Sequence, residues 1–125
     1  MNIPDHLMYT TSHEWVELLP RGGARFGITD YAQSQLGDIV YISLPEEGGH
    51  VKAGDKLADV ESVKAVTDVY SPLTGVITDV NAALEDAPER MNAAPYEAWI
   101  CEIGTAGGAD MLIDAITYRA LIEAE

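Results

Sequence analysis

The sequence predicts a mainly β domain, a compact sandwich or barrel of short strands, carrying one short internal helix and one helix at the C-terminus. Three observations carry that prediction. Between His50 and Val80 the chain is dominated by β-branched residues and by Pro and Gly turns, the pattern of short strands joined by turns. From residue 109 onward the apolar positions Met111, Leu112, Ala115, Ile116, Ala120 and Ile122 take up helical spacing. A chain of 125 residues that is 47% hydrophobic has enough apolar material for one core. One domain is therefore expected over residues 1–125, with its core at about 9–104 and the terminal helix at about 109–123.

Taken in order, EWVELL is a strand, the breaker Pro20 to Gly23 a turn, and ARFGI a second strand. DYAQSQL follows as a helix, with Thr29 placed to accept a hydrogen bond from an early N–H and Gly37 suited to the stop. DIVYIS is the next strand. KAGD and SPLTG are turns among further short strands, with Pro72 and Gly75 read as the turn after the strand that begins near Val66. GVITDV is a strand, and AWICEI another after the turn at Pro95. GTAGGA reads as a linker, and Asp110 as the cap of the terminal helix.

Charge excludes several functions. With 21 Asp and Glu against seven Lys and Arg, the net charge is −14. Such a surface repels phosphodiesters and anionic headgroups, so no nucleic acid and no membrane partner is expected, whereas basic protein faces are attracted. The single Cys101 cannot form an intramolecular disulfide, and His6, His13 and His50 are too scattered for a zinc-type ligand set. Cys101 reads as a small buried hydrophobe in its apolar strand. Neither a signal peptide nor a transit peptide is visible in residues 1–14, so a reducing, cytoplasmic setting is expected.

One side chain stands out by its isolation. Between Lys56 and Arg90 the only basic residue is Lys64, among seven carboxylates: Asp59, Glu61, Asp68, Asp79, Glu85, Asp86 and Glu89. The alternation Ala58, Asp59, Val60, Glu61 before it and Val66, Thr67, Asp68, Val69 after it puts Lys64 at the junction of two half-buried strands, an exposed hairpin tip. Such a lysine has three readings: solubilising charge, catalytic amine, or site of covalent modification. A Schiff-base amine needs burial or cationic neighbours to lower its pKa, and carboxylates do the opposite. Read alone, the residues favour solubilising charge.

The run ESVKAVTDVYSPLTG, residues 61–75, together with SHEWV at 12–16 and GITDYAQSQLGDIVYISLPEEG at 27–48, closely resembles the glycine cleavage H-protein family. The resemblance covers about residues 12–103. It implies a lipoyl-type barrel-sandwich hybrid of two small antiparallel sheets with short helices. It also makes Lys64 the attachment site of covalent lipoate, with Glu61, Ser62, Val63 and Ala65 as its hairpin context. By matching position it places Ser12, Glu14 and Asp68 in a cleft that receives the loaded arm. An amide on the lysine nitrogen removes its charge, so such an arm can lie on apolar surface without burying an ammonium.

The same resemblance implies a carrier without catalytic residues of its own. Its arm takes an aminomethyl group from glycine decarboxylase, a pyridoxal phosphate enzyme, to the tetrahydrofolate-dependent aminomethyltransferase, and dihydrolipoamide dehydrogenase reoxidises it. A lipoate ligase or an octanoyltransferase would load it, and a monomer is the simplest state for serial docking. The alternative is an H-like relay that passes lipoyl or octanoyl groups to other lipoate-dependent or redox enzymes. A biotin carrier is disfavoured because Val63 and Ala65, not Met, flank the lysine.

Bland readings stand beside the functional ones. Glu61 and Asp68 also serve as outward strand residues, His13 as a structural residue, and Trp15 and Trp99 as core anchors. Where the family commonly has Pro-Tyr-Gly-x-Gly-Trp, this chain has PYEAWI at 95–100. A changed turn is expected there.

Overall fold

The computed structural model describes residues 1–125, the side chain of residue 106 excepted. Nine strands run as β1 Met8–Tyr9, β2 Glu14–Leu18, β3 Ala24–Ile28, β4 Ile39–Ser43, β5 His50–Val51, β6 Lys56–Ser62, β7 Val66–Tyr70, β8 Thr74–Val80 and β9 Cys101–Gly107. They form a six-stranded sheet in the order β1-β2-β3-β9-β8-β5 and a three-stranded sheet in the order β4-β6-β7, and neighbouring strands pair antiparallel. Four helices accompany them: α1 Asp30–Leu36, α2 Ala83–Asp86, α3 Arg90–Ala93 and α4 Ala115–Glu123. Among the described residues, no helix is long and apolar enough to cross a membrane.

The main core lies between the sheets. Val16, Phe26 and Ile28 from one side meet Ile42, Val60 and Val69 from the other, each at most 4% exposed. Burying each such side chain contributes about 1.5–3 kcal/mol, which holds the hairpin β6-β7 rigidly on the larger sheet. A second cluster of Ile3, Leu7, Tyr9, Trp15, Ala115 and Tyr118 joins the N-terminal segment and α4 to the same sheet.

Local chemistry explains where α1 begins and ends. Thr29 has extended φ and ψ of −75° and 166°, and its hydroxyl accepts the Ala32 N–H at 3.2 Å, as expected of the cap. At Gly37, φ is 76°, a conformation that suits glycine and stops the helix. Asn92 of α3 then ties the exit down. Its amide nitrogen donates to the Gly37 carbonyl at 2.8 Å, and its oxygen accepts the Ile39 N–H at 2.8 Å.

Several boundaries differ from the sequence reading. The C-terminal helix starts at Ala115, after a 3-10 turn over Ala109–Met111, because Asp114 rather than Asp110 caps it, accepting the Thr117 N–H at 2.8 Å. GTAGGA is not a linker: residues 104–107 continue β9 against β8, with Gly75 opposite Thr105 and Thr74 opposite Gly107. Gly75 likewise lies in a strand rather than a turn, since a Cβ there would run into the Gly104 carbonyl oxygen. The strand expected from Ala98 begins at Cys101, although Ile100 already donates to the Phe26 carbonyl at 2.7 Å.

Candidate functional site

Four residues build the tip of the hairpin β6-β7. The Ser62 N–H donates to the Ala65 carbonyl at 2.8 Å, closing the turn, and the Ser62 hydroxyl oxygen accepts the N–H groups of Lys64 and Ala65 at 3.3 and 3.1 Å. A serine that folds its own side chain over the turn supplies partners that backbone alone would leave to water. The Val63 N–H donates to the Asp38 carbonyl at 3.0 Å, which fastens the tip to the start of β4. Lys64 is exposed on this braced turn, and its side chain lies over Gly37, within 3.4 Å of where a Cβ would stand. Glu61 is exposed on β6, opposite Tyr41 on one side and Val66 on the other.

A cleft of about 320 Å³ opens alongside the hairpin, between β7, α1 and the segment before β2. Its apolar lining is Ile28, Ala32, Leu36, Val60 and Val69, and its polar lining includes Ser12, His13, Glu14, Tyr31, Asp68 and Glu125. Ser12 and Glu14, more than fifty positions before Asp68 in sequence, thus line one space with it and with Ala65 of the lysine turn.

Glu14 is the unusual member, 2% exposed at the start of β2. Its Oε1 accepts the hydroxyls of Thr10 and Ser12 at 2.5 and 2.6 Å, and its Oε2 faces the Tyr70 N–H at 3.4 Å. Burial pushes its carboxyl above the usual carboxylate range, and those donors pull in the opposite direction. Asp68 is different. It sits opposite Asp59 across the hairpin, with Lys56 Nζ 3.5 Å from its Oδ1 and 2.8 Å from Asp59 Oδ1. Its carboxylate therefore belongs to an exposed charge cluster as well as to the wall of the cleft.

His13 also lines the cleft. It holds φ at 72°, an uncommon conformation for a non-glycine, and its Nδ1 lies 2.8 Å from the Tyr118 hydroxyl. Its Nε2 lies 3.2 Å from Glu125 Oε1, which brings the end of the chain to the cleft. Tyr31, Leu36 and Glu125 are cleft residues that sequence reasoning missed. DYAQSQL reads as a helix from sequence, but no local signal pairs His13 with a residue 112 positions away.

The tryptophans and the cysteine stay outside the cleft lining. Trp15 is buried and donates its indole N–H to the Pro95 carbonyl at 2.9 Å, whereas Trp99 is half-buried beneath the Arg25 guanidinium, 4.6 Å from the ring centroid. Cys101 is fully buried, and burial pushes its thiol up to about 12, which keeps it protonated and inert. In PYEAWI the turn occupies residues 95–97, and the Tyr96 hydroxyl accepts the Asp30 N–H at 3.1 Å while donating to the Asn2 carbonyl at 2.6 Å.

A rigid sandwich that offers one lysine on a braced turn, beside a cleft lined by apolar and carboxyl groups, defines a carrier-type module. The model of the family described as glycine cleavage H-protein matches residues 7–125. A glycine cleavage system H protein of Burkholderia cenocepacia is 50% identical over 124 residues, covering 98% of each chain. One from Nitrosospira multiformis is 47% identical, covering all of this chain and 98% of its own. The crystal structure of a glycine cleavage system H protein from Mycobacterium marinum superposes with a TM-score of 0.91 at 36% identity, covering 97% of this chain and 99% of that one. The chain belongs to the glycine cleavage H-protein family, a non-catalytic carrier component of that system.

Proposed function

We propose that Lys64 carries lipoate in amide linkage and that the protein shuttles an aminomethyl group from glycine decarboxylase to the tetrahydrofolate-dependent aminomethyltransferase. Dihydrolipoamide dehydrogenase would reoxidise the arm, and a lipoate ligase or octanoyltransferase would load it. The working form is a monomer in the cytoplasm. One observation supports this reading above the others: an exposed lysine on a braced hairpin turn shares that hairpin with a cleft suited to a mostly apolar arm.

The residues fit the group. Ile28, Leu36, Val60 and Val69 offer the hydrocarbon part of an acyl chain an apolar wall, and amide formation removes the ammonium that would oppose its burial. When bound, lipoate supplies a dithiolane whose opening accepts a one-carbon amine and whose closure returns reducing equivalents. The protein's own part is to bind and shield. Ser12 and Thr10 hold the Glu14 carboxyl at fixed orientation, so a cationic cargo meets a charge-assisted hydrogen bond there without reorganisation. Asp68 offers a second carboxylate nearer the mouth. His13, Tyr31 and Glu125 close one side against water.

The test is reconstitution with purified glycine decarboxylase and carboxyl-labelled glycine. The lipoylated protein is expected to support release of labelled carbon dioxide, and the unmodified protein to leave it at background. Equal rates with both forms would refute the reading. A lipoylated protein that gives no stimulation would point to the relay role.

A further inference from the structure

We propose that Lys56 sets how firmly the cleft holds a cationic cargo. It pairs with Asp68 from outside the cleft and competes with the cargo for that carboxylate, and Asp59 limits the competition by binding the lysine more tightly. This inference rests on the reading of Lys64 as the arm-bearing residue and of the cargo as an aminomethyl group.

The placement of Lys56 comes from an irregularity in the strand pairing. Along β6, Ala58 and Val60 are buried in the main core, whereas Asp59 and Glu61 alternate onto the other face. Strict alternation would send Lys56 inward with Ala58 and Val60. The pairing with β7 slips between Lys56 and Ala58, a bulge that accommodates one extra residue. Leu57 and Ala58 then both pack on the core, and Lys56 reaches the outward face, three residues before Asp59.

Asp59 stands directly opposite Asp68 across the hairpin, an arrangement in which like charges repel. Lys56 serves both carboxylates, with Nζ 2.8 Å from Asp59 Oδ1 and 3.5 Å from Asp68 Oδ1. The shorter contact is a charge-assisted hydrogen bond, and the longer one is an ion pair outside normal hydrogen-bond length. Protonation behaviour follows the same order. The bond to Asp59 is the main reason that the Lys56 pKa is raised, with attraction to Asp68 behind it, and the bond to Lys56 is the main reason that the Asp59 pKa is lowered. Asp68 is therefore only partly neutralised, and its side chain is 43% exposed.

Asp68 also lines the cleft, so an ammonium carried by the arm and the ammonium of Lys56 approach one carboxylate from two sides. Glu14, the other carboxylate open to the cargo, is held by the hydroxyls of Thr10 and Ser12 instead, which confines the competition to Asp68. A carrier has to shield its cargo from water and then surrender it to a second enzyme. Partial neutralisation of one of the two carboxylates serves the second requirement.

The experiment follows spontaneous loss of the aminomethyl group, by intact mass, from full-length lipoylated protein that has been loaded with glycine and glycine decarboxylase and then separated from the enzyme. In that loss water supplies oxygen to the methylene carbon and its two protons pass to sulfur and nitrogen. The C–S and C–N bonds break, formaldehyde and ammonium leave, and the arm keeps a thiol with no change of oxidation state. Loss takes place while the arm is outside the cleft, so its rate reads retention.

Lys56→Met is expected to slow the loss by roughly two- to fivefold, the range of an exposed ion pair. Asp59→Asn is expected to speed it by a similar factor, because Lys56 then turns wholly to Asp68. Lys56→Arg, which keeps the cation, is expected to return the rate to that of the wild type. Lys52→Met removes the same charge from the loop between β5 and β6 and is expected to leave the rate unchanged. In an Asp68→Asn background Lys56→Met is expected to have no effect, and high salt is expected to erase the difference that it makes in the wild type. Loss that is not slowed by Lys56→Met or not speeded by Asp59→Asn, an equal change with Lys52→Met, or an effect of Lys56 that persists without Asp68 overturns this inference alone. A lipoylated wild-type protein that takes up no aminomethyl group removes the carrier reading, and this inference with it.

Discussion

Lys64→Arg is expected to fold as the wild type does and to be inert as a carrier. The turn owes its shape to the Ser62 hydroxyl, the Ser62–Ala65 backbone bond and the Val63–Asp38 bond, none of which uses the lysine side chain. An exposed substitution of this kind changes stability by no more than about 0.5 kcal/mol. Arginine keeps the positive charge and the length, but its guanidinium stays protonated and does not form the amide. Urea unfolding should therefore superpose on that of the wild type, while treatment with lipoate, ATP and ligase leaves glycine decarboxylation at background. Carrier activity in the arginine variant would show that the arm is attached elsewhere.

Tyr118→Ala is expected to give the largest loss of stability, about 3–5 kcal/mol by the rule for buried aromatic truncations. Tyr118 is fully buried on α4 and stacks on Tyr9 with ring centroids 4.6 Å apart and planes 5° apart. Its hydroxyl also lies 2.7 Å from Thr29 Oγ1 and 2.8 Å from His13 Nδ1. Removing the ring opens a cavity in the second cluster, leaves Thr29 and His13 short of a partner, and loosens α4. For a domain with a total of about 5–15 kcal/mol this is a large share. Tyr118→Phe keeps the stacking and should cost only about 1–2 kcal/mol. Urea midpoints for the three proteins give the comparison. A cost below about 1 kcal/mol for the alanine variant would mean that α4 contributes little to the fold.

What was legible in the sequence was mostly local. Thr29 and Gly37 mark the ends of α1 because capping is a matter of neighbouring residues. The alternation around Lys64 locates β6 and β7 to within two residues for the same reason. Glycines misled the reading where their purpose is non-local: GTAGGA looks like a linker, yet its glycines let β9 approach β8 closely, as Gly75 and Gly104 show. The short helices α2 and α3 carry no side-chain cap, and burial of Leu84 and Met91 sets them in place, which only the folded chain reveals. Ser12, Glu14 and Asp68 came from a resemblance, and the fold brings all three to one cleft. The burial of Glu14, the engagement of Asp68 with Lys56 and the tie between His13 and Glu125 depend on tertiary contacts that no spacing encodes.

Of the three lysines, Lys64 is the one expected to bear the lipoyl group. Lys56 is the informative competitor: its bond to Asp59 at 2.8 Å, with Asp68 close by, raises its pKa and holds it as an ammonium. Lys52 is exposed but lies in the loop between β5 and β6, away from the hairpin tip. The measurement is peptide mapping by mass spectrometry after the protein has reacted with lipoate, ATP and a lipoate ligase. A lipoyl increment confined to the peptide containing Lys64 is the predicted result; an increment on Lys52 or Lys56 with Lys64 unmodified would contradict the account.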